Sequence, residues 1–318
     1  MPQVSVCIPI YNVEKYIEQC AQSLFEQILD DIEYIFIDDA SKDNSLEILQ
    51  RILNKYPHRQ KQTKIIRHPE NRGVSATRKE AILQASGDYI IHCDPDDWVE
   101  SDMYLMLYEE AIRSGSDMVY CSFSREMSNL ESVTYHEPKF LHPDEMINAF
   151  FSARSHGSLW NKLYRKSIAK DESIDWPDNI TMCEDMRCNI QMLRKCRSIS
   201  WVSKPLYHYR ENHASLSGLR NRQSLYSEMD NIMLFEKILP SGIFEANLNI
   251  YKRRILLEVC MFGFVSARQW HSLWKRAKRG MWKSNRYPWK LKTAFYCACI
   301  NYTLTSFIWK KLRERHQR

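Results

Sequence analysis

Five short apolar runs alternate with stretches of helical periodicity over the first 123 residues, and this alternation constrains the fold more than anything else in the chain. Val4–Pro9, Ile32–Asp38, Lys64–Arg67, Tyr89–Cys93 and Met118–Phe123 are short and rich in β-branched or aromatic residues, which predicts strands. Between them, Tyr16, Ile17, Cys20, Leu24 and Phe25 fall at helical spacing within Tyr16–Glu26. Ser41 to Asn44 supplies capping residues before Leu46, Ile48, Leu49, Ile52 and Leu53. The turn Asn71-Arg72-Gly73 opens a helix over Ser75–Ala85, and another covers Met103–Arg113. Strands alternating with helices predict an α/β fold with a mostly parallel central sheet flanked by helices.

In such sheets ligands bind at the carboxyl ends of the strands. Here the first strand runs into Tyr11 and Asn12, the second ends in Asp38-Asp39, and the fourth runs into Asp94-Pro95-Asp96-Asp97. Three carboxylates within four residues repel one another unless a cation sits among them, and oxygen ligands suit Mg²⁺ or Mn²⁺. Taken alone, the cluster reads equally as a metal site or as an acidic turn that caps the next helix. Asp38 and Asp39 could meet a base or ribose, or serve as caps. Tyr11 could stack on a nucleobase or pack at a rim. Arg72 and Arg78 could reach a pyrophosphate or carry surface charge. Glu184-Asp185 suits a helix start, where acids meet the positive end of the dipole. No GxxxxGK[ST] loop, GxGxxG fingerprint, GxSxG elbow or HExxH motif competes.

Taken in order, several segments resemble glycosyltransferase family 2, which has the GT-A fold. They are Val4-Ser5-Val6-Cys7-Ile8-Pro9-Ile10-Tyr11-Asn12 with Glu14 and Tyr16, then Ile37-Asp38-Asp39-Ala40-Ser41-Lys42-Asp43-Asn44-Ser45, then Asn71-Arg72-Gly73-Val74-Ser75-Ala76-Thr77-Arg78, then Ala85-Ser86-Gly87-Asp88-Tyr89-Ile90 leading to Asp94-Pro95-Asp96-Asp97-Trp98. The resemblance implies a GT-A-like, Rossmann-like sheet and a nucleotide-sugar donor, UDP-sugar first among them. It implies donor contacts from Pro9, Tyr11, Asn12, Glu14, Asp38, Asp39, Arg72, Arg78 and Asp94. Asp96 would be the direct ligand of Mn²⁺ or Mg²⁺, with Asp94 beside it and Asp97 behind. Asp185, in Cys183-Glu184-Asp185, would be the general base of an inverting transfer. Trp98, Trp160, Asn161, Lys162, Glu184 and Arg210 are expected at the acceptor or just behind the reacting groups. Tyr207-His208-Tyr209-Arg210 followed by Ser215 resembles a late strand and donor-closing loop. The chain departs from the family at Ala40, where Gly is usual, and at Pro95, where a small residue is usual.

Later strands are expected at Leu159–Tyr164 (or a turn there), Ile199–Val202 and Leu206–Tyr209, with helices over Pro143–Phe151 and Glu184–Leu193. A catalytic domain is expected over 1–216 and a helical, basic, Trp-rich region over 217–318. Residues 266–318 hold 14 Lys/Arg and one acid, Glu314, while the rest of the 318-residue chain holds 31 Lys/Arg and 38 acids. Trp270, Trp274, Trp282, Tyr287, Trp289 and Trp309 among those cations suit peripheral contact with an anionic membrane, whereas the acidic body argues against nucleic acid. A solvated helical face is the plain alternative.

The longest apolar stretch, Ala294–Trp309, is broken by Asn301, Thr303, Thr305 and Ser306 and falls short of the ~20 residues of a membrane span. The N-terminus lacks a basic, then apolar, leader. The ten cysteines show neither CxxC spacing nor a zinc array, so reduced thiols in the cytoplasm are expected. The acceptor implied is a carbohydrate or lipid-linked oligosaccharide in cell-surface polysaccharide synthesis. An inactive nucleotide-sugar-binding or scaffold protein on the same fold is the alternative. A nucleotidyltransferase would need a Gly-rich loop that Ile8–Val13 lacks.

Overall fold

The computed structural model describes residues 2–128, 131–177, 182–212, 222–262, 266–277 and 289–308. Its first half is β1 (Val4–Ile10), α1 (Ile17–Phe25), β2 (Ile32–Asp38), α2 (Ser45–Leu53), α3 (Pro57–Gln60), β3 (Thr63–Arg67), α4 (Val74–Gln84) and β4 (Tyr89–His92). These strands run parallel in the order β3-β2-β1-β4. Every residue of β1 and β2 is buried, as expected of strands covered on both faces. The register pairs Ile10 with Asp38 and Cys7 with His92, so the polar ends of β1, β2 and β4 emerge side by side. Pro9 is harmless in this central strand because the β1–β4 ladder stops at Cys7.

The chain continues through β5 (Trp98–Val99), α5 (Met103–Ser114), β6 (Met118–Glu126), β7 (Ser132–Tyr135), α6 (Pro143–Phe151), β8 (Lys162–Arg165), α7 (Lys166–Ala169), α8 (Glu184–Leu193) and β9 (Ile199–Arg210). The sheet extends as β4-β8-β6-β9-β5, with β7 paired to β6. β8 is antiparallel to β4 and β6, β9 is parallel to β6, and β5 is antiparallel to β9. The two strands expected at Ile199–Val202 and Leu206–Tyr209 are one strand. Its register shifts around Ser122 and Pro205, where a proline cannot donate to the ladder. β5 has only two residues and β7 is wholly exposed, so neither carries an apolar signature.

A buried carboxylate ties the sheet to the loop before β4. Glu33 Oε1 accepts from Ser5 Oγ at 2.5 Å, Ser86 Oγ at 2.8 Å and Gly87 N at 3.1 Å, and Lys64 Nζ lies 3.2 Å from Oε2. Burial works to raise this carboxyl, but the hydrogen bonds from Ser5, Ser86 and Lys64 outweigh it and hold it below the usual range. A Cβ on Gly87 would fall 2.7 Å from Ser5 Oγ and 2.8 Å from Ser5 N, which leaves only glycine at this crossing.

Among the described residues, the chain forms one compact unit within 1–150 and 154–215 and another within 151–153 and 216–318. The second contains α9 (Arg222–Ile238), α10 (Glu245–Phe262), α11 (Ala267–Ala277) and α12 (Trp289–Ile300), with residues 302–308 also helical. Phe151, Phe235 and Tyr251 form its aromatic centre. Trp270 and Trp274, expected to face a membrane, are buried instead. Trp270 Nε1 donates to Leu256 O at 3.0 Å, and its ring stacks on Trp274 and Tyr302. The apolar side of α11 is consumed by packing within this unit, while Arg268 and Gln269 turn outward. Among the described residues no helix is long and apolar enough to cross a membrane. Trp282, Tyr287, Trp309, Glu314 and Ser215 lie outside the described residues.

Candidate active site

The loop after β1 is laced to the loop after β2. Asn12 N donates to Ser41 Oγ, Val13 N to Ser45 Oγ and Glu14 N to Asp43 Oδ2, at 3.1, 2.8 and 2.9 Å. In return Asn12 Oδ1 accepts from Lys42 N, and Glu14 Oε2 from Asn44 N and Nδ2. Both loops bend through left-handed residues, Asn12 at φ 51° and Ala40 at φ 60°. The second explains why glycine would be the easier residue there. Tyr11 projects from this ledge, 46% exposed.

Asp38 is buried, with Oδ1 accepting from Ser41 N at 3.2 Å and Oδ2 3.1 Å from Arg67 Nε. Asp39 is buried as well. Its oxygens take the backbone N–H groups of Arg72 and Gly73, both at 2.8 Å, and Oδ1 lies 2.7 Å from His68 Nδ1. Asp39 thus holds the turn from which α4 starts. Arg72 itself is half exposed, with Nη1 3.9 Å from Glu80.

One turn into α4, Arg78 is buried and joins the acidic clusters. Nη2 donates to Asp94 Oδ1 at 2.7 Å, and Nη1 donates to Glu184 Oε1 at 2.8 Å and to Asp185 Oδ1. Cys183, just before this acid pair, sits at φ 59°, so the entry to α8 is also left-handed. Burial pushes the Asp185 carboxyl up to about 7 against the pull of Arg78, with Glu184 and Asp94 adding to the rise. Asp185 is therefore poised near neutrality, where a proton acceptor works best.

The 94–98 loop is braced from β9. Tyr207 Oη donates to Asp97 Oδ2 at 2.7 Å and accepts from Asp94 N at 3.1 Å. Arg210 N donates to Asp97 Oδ1 and Arg210 Nε to Asp96 O, both at 2.8 Å. The Arg210 guanidinium lies over the rings of Trp98, at 4.6 Å, and Tyr16, at 5.3 Å. His208 stacks on the Trp98 ring at 5.1 Å and is flanked by Glu100 and Glu126. Burial pushes the Asp97 carboxyl up, and Asp96 and Asp94 push it further. Burial and then Asp94 raise Asp96, whose Oδ2 receives a long 3.4 Å contact from Asn212 Nδ2.

A divalent cation fits this chemistry: the Asp96 carboxylate is crowded by Asp94, and a cation would relieve that repulsion. Among the described residues no three His, Cys, Asp or Glu side chains gather as a complete metal site. The acids can offer one or two oxygens, which suits a hard ion that takes its other ligands from phosphates and water.

Trp160, Asn161 and Lys162 are brought near these groups from underneath. Trp160 is buried, and its ring stacks on Tyr207 at 4.2 Å. Asn161 Nδ2 donates to Cys121 O at 2.9 Å, and Lys162 Nζ donates to His156 O, Ser158 O and Asn161 Oδ1. Their contacts shape the chain beneath Tyr207. Sequence reasoning did not single out the Tyr207 hydroxyl as part of the site. The local pattern carries no sign of it, because its partners lie 110 and 113 residues away.

The profile of Glycosyl transferase family 2 matches residues 5–180, more than half of the chain. The chain belongs to glycosyltransferase family 2. EpsH of Bacillus subtilis (strain 168) is 32% identical over 228 residues, which cover 68% of this chain; the chain spans 62% of the length of EpsH. The family fold is that of S. aureus TarS in complex with UDP, with a TM-score of 0.65 and 19% identity over 87% of this chain and 88% of that one. It is also that of the mannosyltransferase PcManGT from Pyrobaculum calidifontis in complex with GDP-Man and Mn²⁺, with a TM-score of 0.59 and 14% identity over 97% and 84%. A family 2 glycosyltransferase with the GT-A fold therefore accounts for the sheet and for the gathering of acids at its carboxyl edge.

Proposed function

We propose that this family member is an inverting, metal-dependent transferase. It moves a sugar from a UDP-sugar to a carbohydrate or lipid-linked oligosaccharide acceptor, in cell-surface polysaccharide synthesis at the cytoplasmic face of a membrane. The observation that carries the reading is the Arg78 bridge, which sets Asp94 of the strand-end acids and Asp185 of α8 on one guanidinium.

Tyr11 stacks on the base, and Pro9, Asn12 and Glu14 shape its ledge. Asp38 and Asp39 set the edge of the nucleoside pocket, while Arg72 presents a cationic group toward the diphosphate and Arg78, near it, holds Asp94, Glu184 and Asp185 together. Asp185 accepts the proton of the acceptor hydroxyl as that oxygen bonds to the anomeric carbon. The bond from that carbon to the donor phosphate oxygen breaks, and the nucleoside diphosphate leaves with the electron pair. A placed base typically contributes ~10²–10⁴-fold. Asp96, with Asp94, would hold Mn²⁺ or Mg²⁺, which when bound neutralises charge on the diphosphate. Asp97, Tyr207 and Arg210 keep the two acids in place; Trp98 and Glu184 line the acceptor side, with the buried Trp160, Asn161 and Lys162 supporting it from behind. The UDP bound by TarS and the GDP-Man and Mn²⁺ bound by PcManGT, on the same fold, support a nucleotide-sugar and a divalent ion.

A thermal-shift screen with UDP, GDP, CDP and dTDP, each with and without Mn²⁺, tests the reading. A ligand at ~100 times its dissociation constant adds ~2.7 kcal/mol of stability. The expected result is a shift with UDP that requires Mn²⁺ and disappears in Asp96→Asn. No shift with any nucleotide would refute donor binding, and a shift indifferent to both Mn²⁺ and Asp96→Asn would refute the metal site.

A further inference from the structure

The last of the described helical stretches, residues 289–308, leaves a row of large apolar side chains in water. Trp289, Tyr296, Ile300, Leu304 and Phe307 are spaced by seven, four, four and three residues, which places them on one side of a helix. Each is between 54% and 71% exposed. The side facing the protein carries Ala298, Tyr302, Thr305 and Ser306, all buried. Helical hydrogen bonding continues across Asn301, whose N–H donates to Cys297 O and whose carbonyl accepts from Thr305 N. The stripe therefore runs along residues 289–308, about 30 Å at 1.5 Å per residue. At its start Trp289, Lys292, Thr293 and Tyr296 line a surface depression of about 440 Å³.

We propose that this stripe is a docking face for an anionic lipid bilayer, lying in the membrane surface without crossing it. Charge selects the occupant. The 266–318 segment carries 14 Lys/Arg against one acid, so a second copy of the chain would bring a segment of the same sign to the contact. A nucleic acid would satisfy the cations but leave Ile300, Leu304 and Phe307 in water. A bilayer with anionic headgroups meets both demands, taking the apolar side chains at the headgroup boundary and the Lys/Arg at the phosphates. Trp289 and Tyr296 suit that boundary, being apolar with a polar edge. The face deepens the transferase reading, on which its purpose rests: a lipid-linked acceptor is presented at such a surface.

The test is flotation of the full chain with vesicles of phosphatidylcholine alone and of phosphatidylcholine mixed with phosphatidylglycerol. The comparison is with Ile300→Glu/Leu304→Glu, which alters only exposed positions and is checked by circular dichroism. The wild type should float with the anionic vesicles, lose that binding in high salt and on neutral vesicles, and bind about tenfold less in the variant. A folded wild type that stays unbound would overturn the proposal, as would equal flotation of wild type and variant. So would light scattering that shows a dimer in the wild type and a monomer in the variant without vesicle binding. UDP-induced stabilisation in Mn²⁺, measured in parallel, should be the same in both proteins. Its absence would count against the transferase reading and leave the vesicle result standing.

Discussion

Arg78 Nη2 and Asp94 Oδ1 are 2.7 Å apart, and the same guanidinium reaches Asp185 from its other terminal nitrogen. One buried cation thus serves the acids at the end of β4 and the acids at the start of α8. Removing it would leave three carboxylates facing one another in a partly desolvated space.

Arg78→Gln is expected to cost about 3–5 kcal/mol of stability, the penalty for removing one partner of a buried ion pair. Arg78→Lys retains the charge but not the fork that contacts Asp94 and Glu184 together, so turnover should fall about a hundredfold. Urea unfolding and steady-state kinetics check the two effects. An Arg78→Lys variant with wild-type turnover would show that the bridge is not needed for transfer.

Asp185 supplies a pH signature. Burial sets its carboxyl near 7 in the free protein, and only the deprotonated form can accept the acceptor's proton. Its kcat/KM should therefore fall about tenfold per pH unit below the inflection and level off above it. Asp185→Asn should abolish turnover while leaving the UDP-induced thermal shift. A profile flat from about pH 5 to 8 would exclude Asp185 as the titrating base.

Tyr207→Phe keeps the ring that stacks on Trp160 but removes the hydroxyl shared by Asp97 and the Asp94 N–H. One buried carboxylate oxygen loses its donor, so a stability loss of about 1–3 kcal/mol is expected. The acidic loop should loosen with it. Weaker Mn²⁺-dependent UDP binding, seen by calorimetry, is the accompanying result; unchanged binding would show that the loop holds its shape without β9.

Ala40→Gly removes a Cβ from a left-handed residue. The strain relieved is about 1–2 kcal/mol, partly offset by about 0.5–1 kcal/mol of added freedom in the unfolded chain. A gain of about 0.5–1 kcal/mol in chemical denaturation is expected, with activity unchanged. A loss of stability would place the strain elsewhere.

The parallel half of the sheet was legible because each strand and helix announces itself locally. Val4–Pro9 and Ile32–Asp38 are apolar on both faces, and the helix between them has its own period. The acids at the strand ends were legible for the same reason, since strand order in a doubly wound sheet brings carboxyl ends to one edge. β5 and β7 were not legible, being too short or too exposed to carry a pattern, and β9 read as two strands because Pro205 interrupts it.

The amino-acid order alone thus determined the elements of the first half and which acids end its strands, because those properties depend on neighbours a few residues away. Tertiary structure decided what the acids touch. Arg78 meets Glu184 and Asp185 across 106 and 107 residues, and Tyr207 meets Asp97 across 110. It also decided which aromatic residues of the basic tail face outward. Trp270 and Trp289 look alike in sequence, yet one is buried under Leu256 and Tyr302 and the other is exposed. Burial depends on which surface another element happens to cover, and no local pattern records that.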